Sequence, residues 1–136
     1  MMDWSGLMQE ARAAREKAYV PYSSFKVGAA LLDADGNIHH GCNIENAAYT
    51  PSNCAERTAM FSAMAQGKKA RSFKAMAIIG DTEQPIAPCG VCRQVMAELC
   101  APDMPVILGN LKGEMRETTM QELLPYAFGP SDLGKE

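Results

Sequence analysis

The stretch Ala75-Met76-Ala77-Ile78-Ile79-Gly80 decides the fold class of this chain. It contains no polar side chain, a pattern typical of a strand in a sheet that is covered on both faces. Strands of this kind belong to layered domains in which helices pack on the sheet. The sequence therefore predicts an α/β fold built around residues 75–80.

Helical and strand patterns alternate on either side of this strand. Apolar residues recur three and four positions apart in the predicted helices, and cap or turn residues mark their ends. A hairpin is predicted where the turn-rich segment 33–37 separates two β-like segments. The predicted helices cover 3–19, 51–66 and 89–100; the strands cover 26–32, 38–42, 75–80 and 106–108; a capping box at Thr119 and Glu122 begins a last short helix. The chain has 136 residues, and we expect one domain, 1–136.

Charge and hydropathy exclude two classes of partner. The net charge of −3 and the pI of about 5.4 are not typical of a surface that binds polynucleotides. The longest apolar runs, 27–32 and 75–80, are far shorter than the roughly 20 residues that span a bilayer. The sequence begins without a signal-peptide pattern, which predicts a cytoplasmic protein. A basic cluster at 68–74 is expected to be a solvated loop.

Cysteine spacing is the main chemical signal in the sequence. Cys54 is followed 35 residues later by the pair Cys89 and Cys92, and no secretory signal favours disulfides. A C-x-x-C pair fits one tetrahedral zinc ion but also fits a redox dithiol. Both cysteine groups fall at predicted helix N-termini, which favour thiolates. Three ligands would leave the fourth zinc position open, as in a catalytic site.

Glu56 lies two residues after Cys54 and has two possible roles. With Asn53 as the N-cap, Glu56 would complete a capping box. Alternatively, its carboxylate would move protons between water and a leaving amine at a zinc site. Cys42 and Cys100 fit the metal site poorly. His39 and His40 point to opposite faces of a predicted strand and are not needed as ligands.

These motifs resemble the signature of zinc deaminases, C-x-E followed by P-C-x-x-C. The chain resembles the small homotetrameric cytidine deaminases, and the matching blocks follow the order of that family over nearly the whole sequence. Departures are confined to 50–53 and to the tail after Phe128. The matching blocks are 19–30 (YVPYSSFKVGAA), 41–47 (GCNIENA), 54–59 (CAERTA), 88–94 (PCGVCRQ) and 122–128 (ELLPYAF).

The resemblance implies a three-layer α/β/α fold with a mixed five-stranded sheet and one zinc ion per subunit. It implies hydrolytic deamination of cytidine and 2′-deoxycytidine in pyrimidine salvage, in a homotetramer with shared active sites. The residue roles are implied in the same way: Cys54, Cys89 and Cys92 bind zinc, Glu56 is catalytic, Phe25 packs on the base, Asn43 and Glu45 bind ribose hydroxyls, the Ala55 N–H meets the pyrimidine carbonyl, and Phe128 closes a neighbouring subunit's pocket.

The three thiolates also raise a question of charge. Zinc and three thiolates together carry −1, and Arg57 is the side chain expected to offset that excess. A surface salt bridge is the alternative role of Arg57. Three other functions remain open at this stage: deamination of a blasticidin-type antibiotic, a structural zinc module with a fourth ligand from Cys42, His39 or His40, and a thiol redox protein.

Overall fold

The structure is a computed structural model that describes residues 3–135. It contains one sheet, whose five strands run in the order β2-β1-β3-β4-β5. Only β3 and β4 pair in parallel; the other neighbours are antiparallel. The mixed five-stranded sheet predicted from the resemblance is thus confirmed. The elements are α1 Ser5–Arg15, β1 Val27–Leu32, β2 Ile38–Cys42, α2 Ala55–Ala65, β3 Ala75–Gly80, α3 Gly90–Leu99, β4 Pro105–Asn110, β5 Met115–Thr119, α4 Met120–Leu123 and a 3-10 turn at Pro130–Leu133.

The central strand β3 shows why the fold has three layers. All six of its residues are buried, and successive side chains point to opposite faces. Met76 and Ile78 pack in the core that contains residues of α2 and α3. Ala75, Ala77 and Ile79 pack in a second core that contains residues of α1. Helices therefore cover both faces of the sheet, as the apolar pattern of this strand predicted.

Some predicted boundaries were wrong, and tertiary contacts explain the differences. The helix predicted at 3–19 ends at Arg15, because Tyr19 forms a parallel bridge with Ile44 instead. The helix predicted at 51–66 begins at Ala55, because Asn53 forms an antiparallel bridge with the same Ile44. These bridges replace helical hydrogen bonds that the local sequence would otherwise allow. The capping contact of α4 was predicted correctly, since Glu122 Oε1 accepts the Thr119 N–H at 3.1 Å.

The fifth strand had no assigned residues in the sequence prediction. Strand β5 is mostly exposed and lies at the edge of the sheet, with the polar sequence Met-Arg-Glu-Thr-Thr. Charged residues on edge strands prevent pairing with other chains, but they also hide the strand from an apolar pattern search. No helix within 3–135 has the length and hydropathy of a membrane span.

The basic cluster is only partly a solvated loop. Lys68 pairs with the carboxylates of Asp33 and Asp35, at 3.3 Å each. Asp33 is itself buried and also bonds to His39 Nε2 at 2.8 Å. His40, which points to the opposite face of β2 from His39, is exposed. This network closes the β1–β2 hairpin against the end of α2.

Two glycines allow helices to lie directly on the sheet. A Cβ atom at Gly41 in β2 would overlap the Ala55 carbonyl oxygen and come within 2.5 Å of the Ala59 nitrogen, both in α2. A Cβ atom at Gly28 in β1 would overlap the Ala11 carbonyl oxygen in α1. Because these neighbours are backbone atoms, they cannot rotate away. The position of α2, which carries Glu56, is therefore set by the absence of a side chain at Gly41.

We expect Gly41→Ala and Gly28→Ala each to lower the free energy of unfolding by about 1–3 kcal/mol or more, because each forces a helix off the sheet. Only Gly41→Ala should also weaken binding of the predicted zinc ion, since α2 follows Cys54 and α1 carries no ligand. Denaturant unfolding and zinc competition with a chelator measure the two effects. Gly6→Ala is the control, since its Cβ meets nothing within 4 Å. Equal loss of zinc affinity in both core variants would contradict this view of α2.

Candidate active site

Three cysteine sulfurs meet where two helices begin. The Sγ atoms of Cys54, Cys89 and Cys92 all lie within 4.8 Å of one another, and those of Cys54 and Cys89 are 3.8 Å apart. Cys54 is the N-cap residue of α2, and Cys89 is the N-cap residue of α3. Cys92 lies in the first turn of α3 and is fully buried. The sequence placed these residues at helix N-termini, and the structure brings both termini to one point.

This donor set fits zinc. Thiolate sulfur is a preferred zinc ligand, and sulfurs at this spacing can share one ion with Zn–S bonds of about 2.3 Å. Unpaired N–H groups at a helix N-terminus favour the charged form of a cysteine. Two such termini therefore stabilise negative charge at the place where the sulfurs meet.

Arg57 places a positive charge against the sulfurs. Its Nη2 donates to Cys54 Sγ at 3.2 Å, and its Nε is buried without a hydrogen-bond partner. Burial would lower the pKa of Arg57, but bonds to Cys54 and Cys92 outweigh burial and hold the pKa above its usual range. The guanidinium therefore stays charged beside the cluster. The alternative role of Arg57, a surface salt bridge, is wrong, because its guanidinium bonds to a cysteine sulfur and its Nε is buried.

The thiols of Cys54 and Cys92 have pKa values that are shifted in opposite directions. A hydrogen bond from Cys92, together with the guanidinium of Arg57, lowers the pKa of Cys54 to about 5. The Cys54 sulfur and burial raise the pKa of Cys92 well above its usual range. Of these two residues, the protein by itself favours the thiolate form of Cys54 and the thiol form of Cys92.

Glu56 is buried beside the cluster, with 4% of its surface exposed. Burial raises the pKa of its carboxyl to about 7, and the negative Cys54 sulfur acts in the same direction. A group with this pKa can accept and return a proton near neutral pH. The alternative capping role is wrong, because α2 begins at Ala55 and its N-cap residue is Cys54 rather than Asn53.

The remaining cysteines and both histidines lie apart from the cluster. Cys100 is buried at the end of α3, where its Sγ is 3.9 Å from Met60 Sδ. His39 bonds to Asp33, and His40 bonds to Glu10. Among residues 3–135, no fourth cysteine, histidine, aspartate or glutamate joins the three sulfurs. All five cysteines are free. Neither the four-ligand module nor a disulfide is present in the described part of the chain.

Glu45 is held in place by the turn that precedes Phe25. Its Oε1 accepts the N–H groups of Tyr22 and Ser23 at 3.1 Å each, and its Oε2 accepts the Ser23 hydroxyl. The Ser23 hydroxyl is the main cause that lowers the pKa of the Glu45 carboxyl. A carboxylate has about four lone pairs, and three are used here. Glu45 is therefore an anion with room for one more hydrogen-bond donor.

Asn43 is similarly engaged with the backbone. Its Oδ1 accepts the Val27 N–H at 2.9 Å, and its Nδ2 donates to the Phe25 carbonyl at 2.7 Å. One N–H and one lone pair of this amide stay available. Asn43 thus also fixes the backbone on both sides of Lys26. The Phe25 ring is 38% exposed, as required of a side chain that contacts a ligand.

The bridges at Ile44 connect this polar group to the metal cluster. Ile44 and Asn53 exchange two backbone hydrogen bonds of 2.9 Å each, and Asn53 directly precedes Cys54. Asn43 and Glu45 flank Ile44, so all three positions are fixed relative to the first ligand. Ala55, the first residue of α2, has an N–H without an acceptor inside the helix.

Phe128 is a predicted site residue that the hydrogen bonds and bridges described above do not connect to the three cysteines. Its side chain is 58% exposed, and its carbonyl oxygen accepts Gln94 Nε2 at 2.9 Å. Within residues 3–135, the hydrogen bond from Gln94 on α3 fixes its backbone. An exposed aromatic ring on an anchored segment is available to another molecule.

The sequence analysis missed residues that support the site. A cavity of about 340 Å³ borders Glu45, and Tyr49 lines it with a left-handed backbone (φ 63°). Such strain in a residue other than glycine is common at functional sites. Ser23 and Arg93 lie within the matching blocks, but the sequence predicted no role for either of them. The cavity is lined by Tyr22, Ser23, Glu45, Asn46, Tyr49 and Ser52.

Comparison with known proteins decides the family. Residues 1–108 match the model of the cytidine and deoxycytidylate deaminase zinc-binding region. The chain belongs to the cytidine and deoxycytidylate deaminase family. A cytidine deaminase of Sporosarcina psychrophila is 61% identical over 132 residues, which cover 97% of this chain and 96% of that protein. A second relative of the family, the cytidine deaminase of Halalkalibacterium halodurans, is 56% identical over 97% of this chain and 98% of its own length.

Solved structures of the family agree with the fold. The crystal structure of a cytidine deaminase from Burkholderia pseudomallei has a TM-score of 0.91 and 57% identity, covering 93% of this chain and all of that one. The cytidine deaminase from Mycobacterium tuberculosis has a TM-score of 0.78 and 35% identity, covering 95% and 99%. The predicted family, the deaminase class and the zinc cofactor are confirmed, and one zinc ion per chain fits the cluster of three cysteines.

We expect Cys92→Ser to abolish stoichiometric zinc binding, because the remaining two sulfurs cannot complete the site. The purified variant, dialysed against a weak chelator, should contain far less than one zinc ion per chain by atomic spectroscopy. Cys42→Ser is the control and should retain zinc, since Cys42 is outside the cluster. Full zinc content in Cys92→Ser, or its loss in Cys42→Ser, would assign the ligands differently.

Proposed function

We propose that this chain catalyses the hydrolytic deamination of cytidine and 2′-deoxycytidine to uridine and 2′-deoxyuridine, with release of ammonia, as a step of pyrimidine salvage. The observation that carries the proposal is the position of a buried carboxyl, Glu56, two residues from a sulfur of the Cys54, Cys89 and Cys92 cluster. The relatives named cytidine deaminase support the same substrate.

The three cysteines hold the zinc ion in this proposal. When bound, zinc supplies Lewis acidity, which makes water a usable nucleophile near neutral pH. The cluster would otherwise carry −1, from three thiolates and a divalent cation. Arg57, which donates to Cys54 Sγ, brings that sum to zero.

Glu56 is the residue that moves protons. Its carboxylate accepts a proton as the water oxygen bonds to C4 of the pyrimidine, and it delivers that proton to N3. It then takes the proton of the new hydroxyl group on C4 and passes it to the exocyclic amino group as the C4=O bond forms and the C4–N bond breaks, so that ammonia leaves and uridine remains. A pKa of about 7 allows both directions of transfer.

The other predicted residues orient the nucleoside. The free Ala55 N–H at the start of α2 donates to the pyrimidine carbonyl, and Phe25 packs against the base. The sugar hydroxyls form hydrogen bonds with the positions on Glu45 and Asn43 that no protein group occupies. These are one acceptor position on Glu45, and one donor and one acceptor on Asn43. The fixed negative charge of Glu45 favours an uncharged nucleoside over a 5′-phosphorylated one.

We further propose a cytoplasmic homotetramer in which Phe128 closes the pocket of a neighbouring subunit. Phe128, Tyr126 and Leu133 are large apolar side chains of the C-terminal segment, and each is more than half exposed. A second copy of the chain would cover them. The chain as a whole, 1–136, forms one domain in this assembly.

A direct assay tests the activity. Purified protein should lower the ultraviolet absorbance of cytidine and of 2′-deoxycytidine as uridine products form, and a zinc chelator should stop the reaction. Free cytosine and blasticidin S are the comparison substrates. Preference for the antibiotic would favour the alternative within the deaminases. A zinc-loaded protein that leaves all four unchanged would contradict the proposal.

We expect Glu56→Gln to lower kcat for cytidine by at least 10²–10⁴-fold, because the amide cannot move protons. Zinc content and melting temperature should stay near those of the unmodified protein. Glu10→Gln removes a partly exposed carboxylate that pairs with His40 and is the matched control. Turnover of Glu56→Gln near that of the control would remove Glu56 from the mechanism.

We expect Arg57→Ala to move the rising limb of the pH–rate profile to higher pH. Glu56 must be ionised to accept the first proton, so the rate rises as the pH passes its pKa. The guanidinium lowers that pKa, and its removal raises it. The profile of kcat against pH measures the shift, and Arg57→Lys should retain part of the unmodified profile. An unchanged limb in Arg57→Ala would exclude charge compensation by this residue.

A further inference from the structure

The half-buried side chain of Arg93 joins two parts of the fold that are distant in sequence. Its Nε donates to the Pro88 carbonyl oxygen at 2.8 Å, and its Nη1 donates to the Leu123 carbonyl oxygen at 2.8 Å. Pro88 directly precedes Cys89, and Leu123 is the last residue of α4. One guanidinium therefore connects the turn that enters the metal cluster to the end of the last helix.

Cys89 has particular need of such a contact. It is the exposed member of the cluster, whereas Cys92 is buried and Cys54 is half-buried. Cys89 is therefore less enclosed by neighbouring residues than the other two ligands. Arg93 fixes the residue before it, and the Arg93 backbone N–H also bonds to the Cys89 carbonyl at 3.0 Å. Groups that orient the ligands of a metal affect its affinity.

The second bond fixes where the C-terminal segment begins. The last carbonyl groups of a helix have no partner within it, so the Leu123 oxygen needs an outside donor. Gln94, the next residue on α3, donates to the Phe128 carbonyl at 2.9 Å. Arg93 thus holds Leu123, directly before the segment 124–128, and Gln94 holds Phe128 at the other end of that segment. Both ends of the segment are therefore fixed to α3.

We propose that Arg93 is a positioning residue that holds the Cys89 turn for zinc and anchors the segment 124–128 through the same side chain. The inference rests on the zinc site of the proposed function. Arginine suits the role because its planar fork can donate to two carbonyl groups at once, which a lysine ammonium cannot do in the same geometry. The Arg93 side chain therefore stabilises both the metal site and the segment that carries Phe128.

The experiment compares Arg93→Ala with two variants of the same helix and its surroundings. Gln94→Ala removes only the bond to Phe128. Arg71→Ala removes a comparable bond, from Arg71 Nη1 to the Glu98 carbonyl at 2.6 Å, at the far end of α3. Zinc affinity is measured by competition with a chromophoric chelator, and hydrogen exchange is measured for 124–128. Circular dichroism and melting temperature establish first that each variant folds.

We expect Arg93→Ala to weaken zinc binding roughly 10–100-fold and to speed exchange in 124–128. Gln94→Ala should speed that exchange with zinc affinity unchanged, and Arg71→Ala should change neither. Zinc affinity of Arg93→Ala within twofold of the unmodified protein would overturn the proposal. An equal loss in Arg71→Ala would do the same, since it would indicate general loosening of α3.

Arg93→Lys keeps the positive charge and serves if Arg93→Ala does not fold. We expect it to reproduce at least one of the two losses, because one ammonium cannot span both carbonyl oxygens. Full retention of both properties would show that charge is sufficient and would overturn the proposal. Neither measurement uses cytidine. A protein that binds zinc as described but leaves cytidine unchanged would contradict the proposed function and leave this inference intact.

Discussion

Repulsion among three sulfurs within 4.8 Å is the constraint on which the rest of the site depends. Each sulfur favours its charged form only if positive charge or hydrogen-bond donors lie close by. Two helix N-termini, the Arg57 guanidinium and a place for a divalent cation offset the negative charge of the sulfurs. Burial, together with the same negative charge, raises the pKa of Glu56 into the range useful for proton transfer. The cysteine cluster thus contributes to both metal binding and proton transfer.

The parts of the fold that follow from local pattern were predictable. The wholly apolar strand at Ala75–Gly80 and the hairpin strand at Ile38–Cys42 have the predicted bounds, because burial on one or both faces leaves a direct trace in hydropathy. The edge strand Met115–Thr119 leaves no such trace. The ends of α1 and α2 were wrong because Tyr19 and Asn53 pair with Ile44, a contact between residues that no local window contains.

The site shows the same division. Spacing and helix position indicated that Cys54, Cys89 and Cys92 could meet, and the resemblance to the zinc deaminases implied that they bind zinc rather than form a redox pair. The support of Glu45 by Ser23, and of the Cys89 turn by Arg93, could not be predicted in this way. A serine or an arginine that bonds to a backbone carbonyl or a carboxylate has no distinctive neighbours in sequence. Only the folded arrangement shows that Asn43 spends half of its hydrogen-bonding capacity on the backbone beside Phe25.

The distance along the chain between Cys54 and Cys89 has a consequence for the whole domain. An ion that joins these residues closes a loop of 35 residues, and that loop contains α2 and the central strand β3. Closing a flexible loop of this length costs conformational entropy worth roughly 3 kcal/mol. The cofactor therefore acts as a reversible cross-link across the core, comparable in entropy to a disulfide, and its binding adds to the stability of the folded chain.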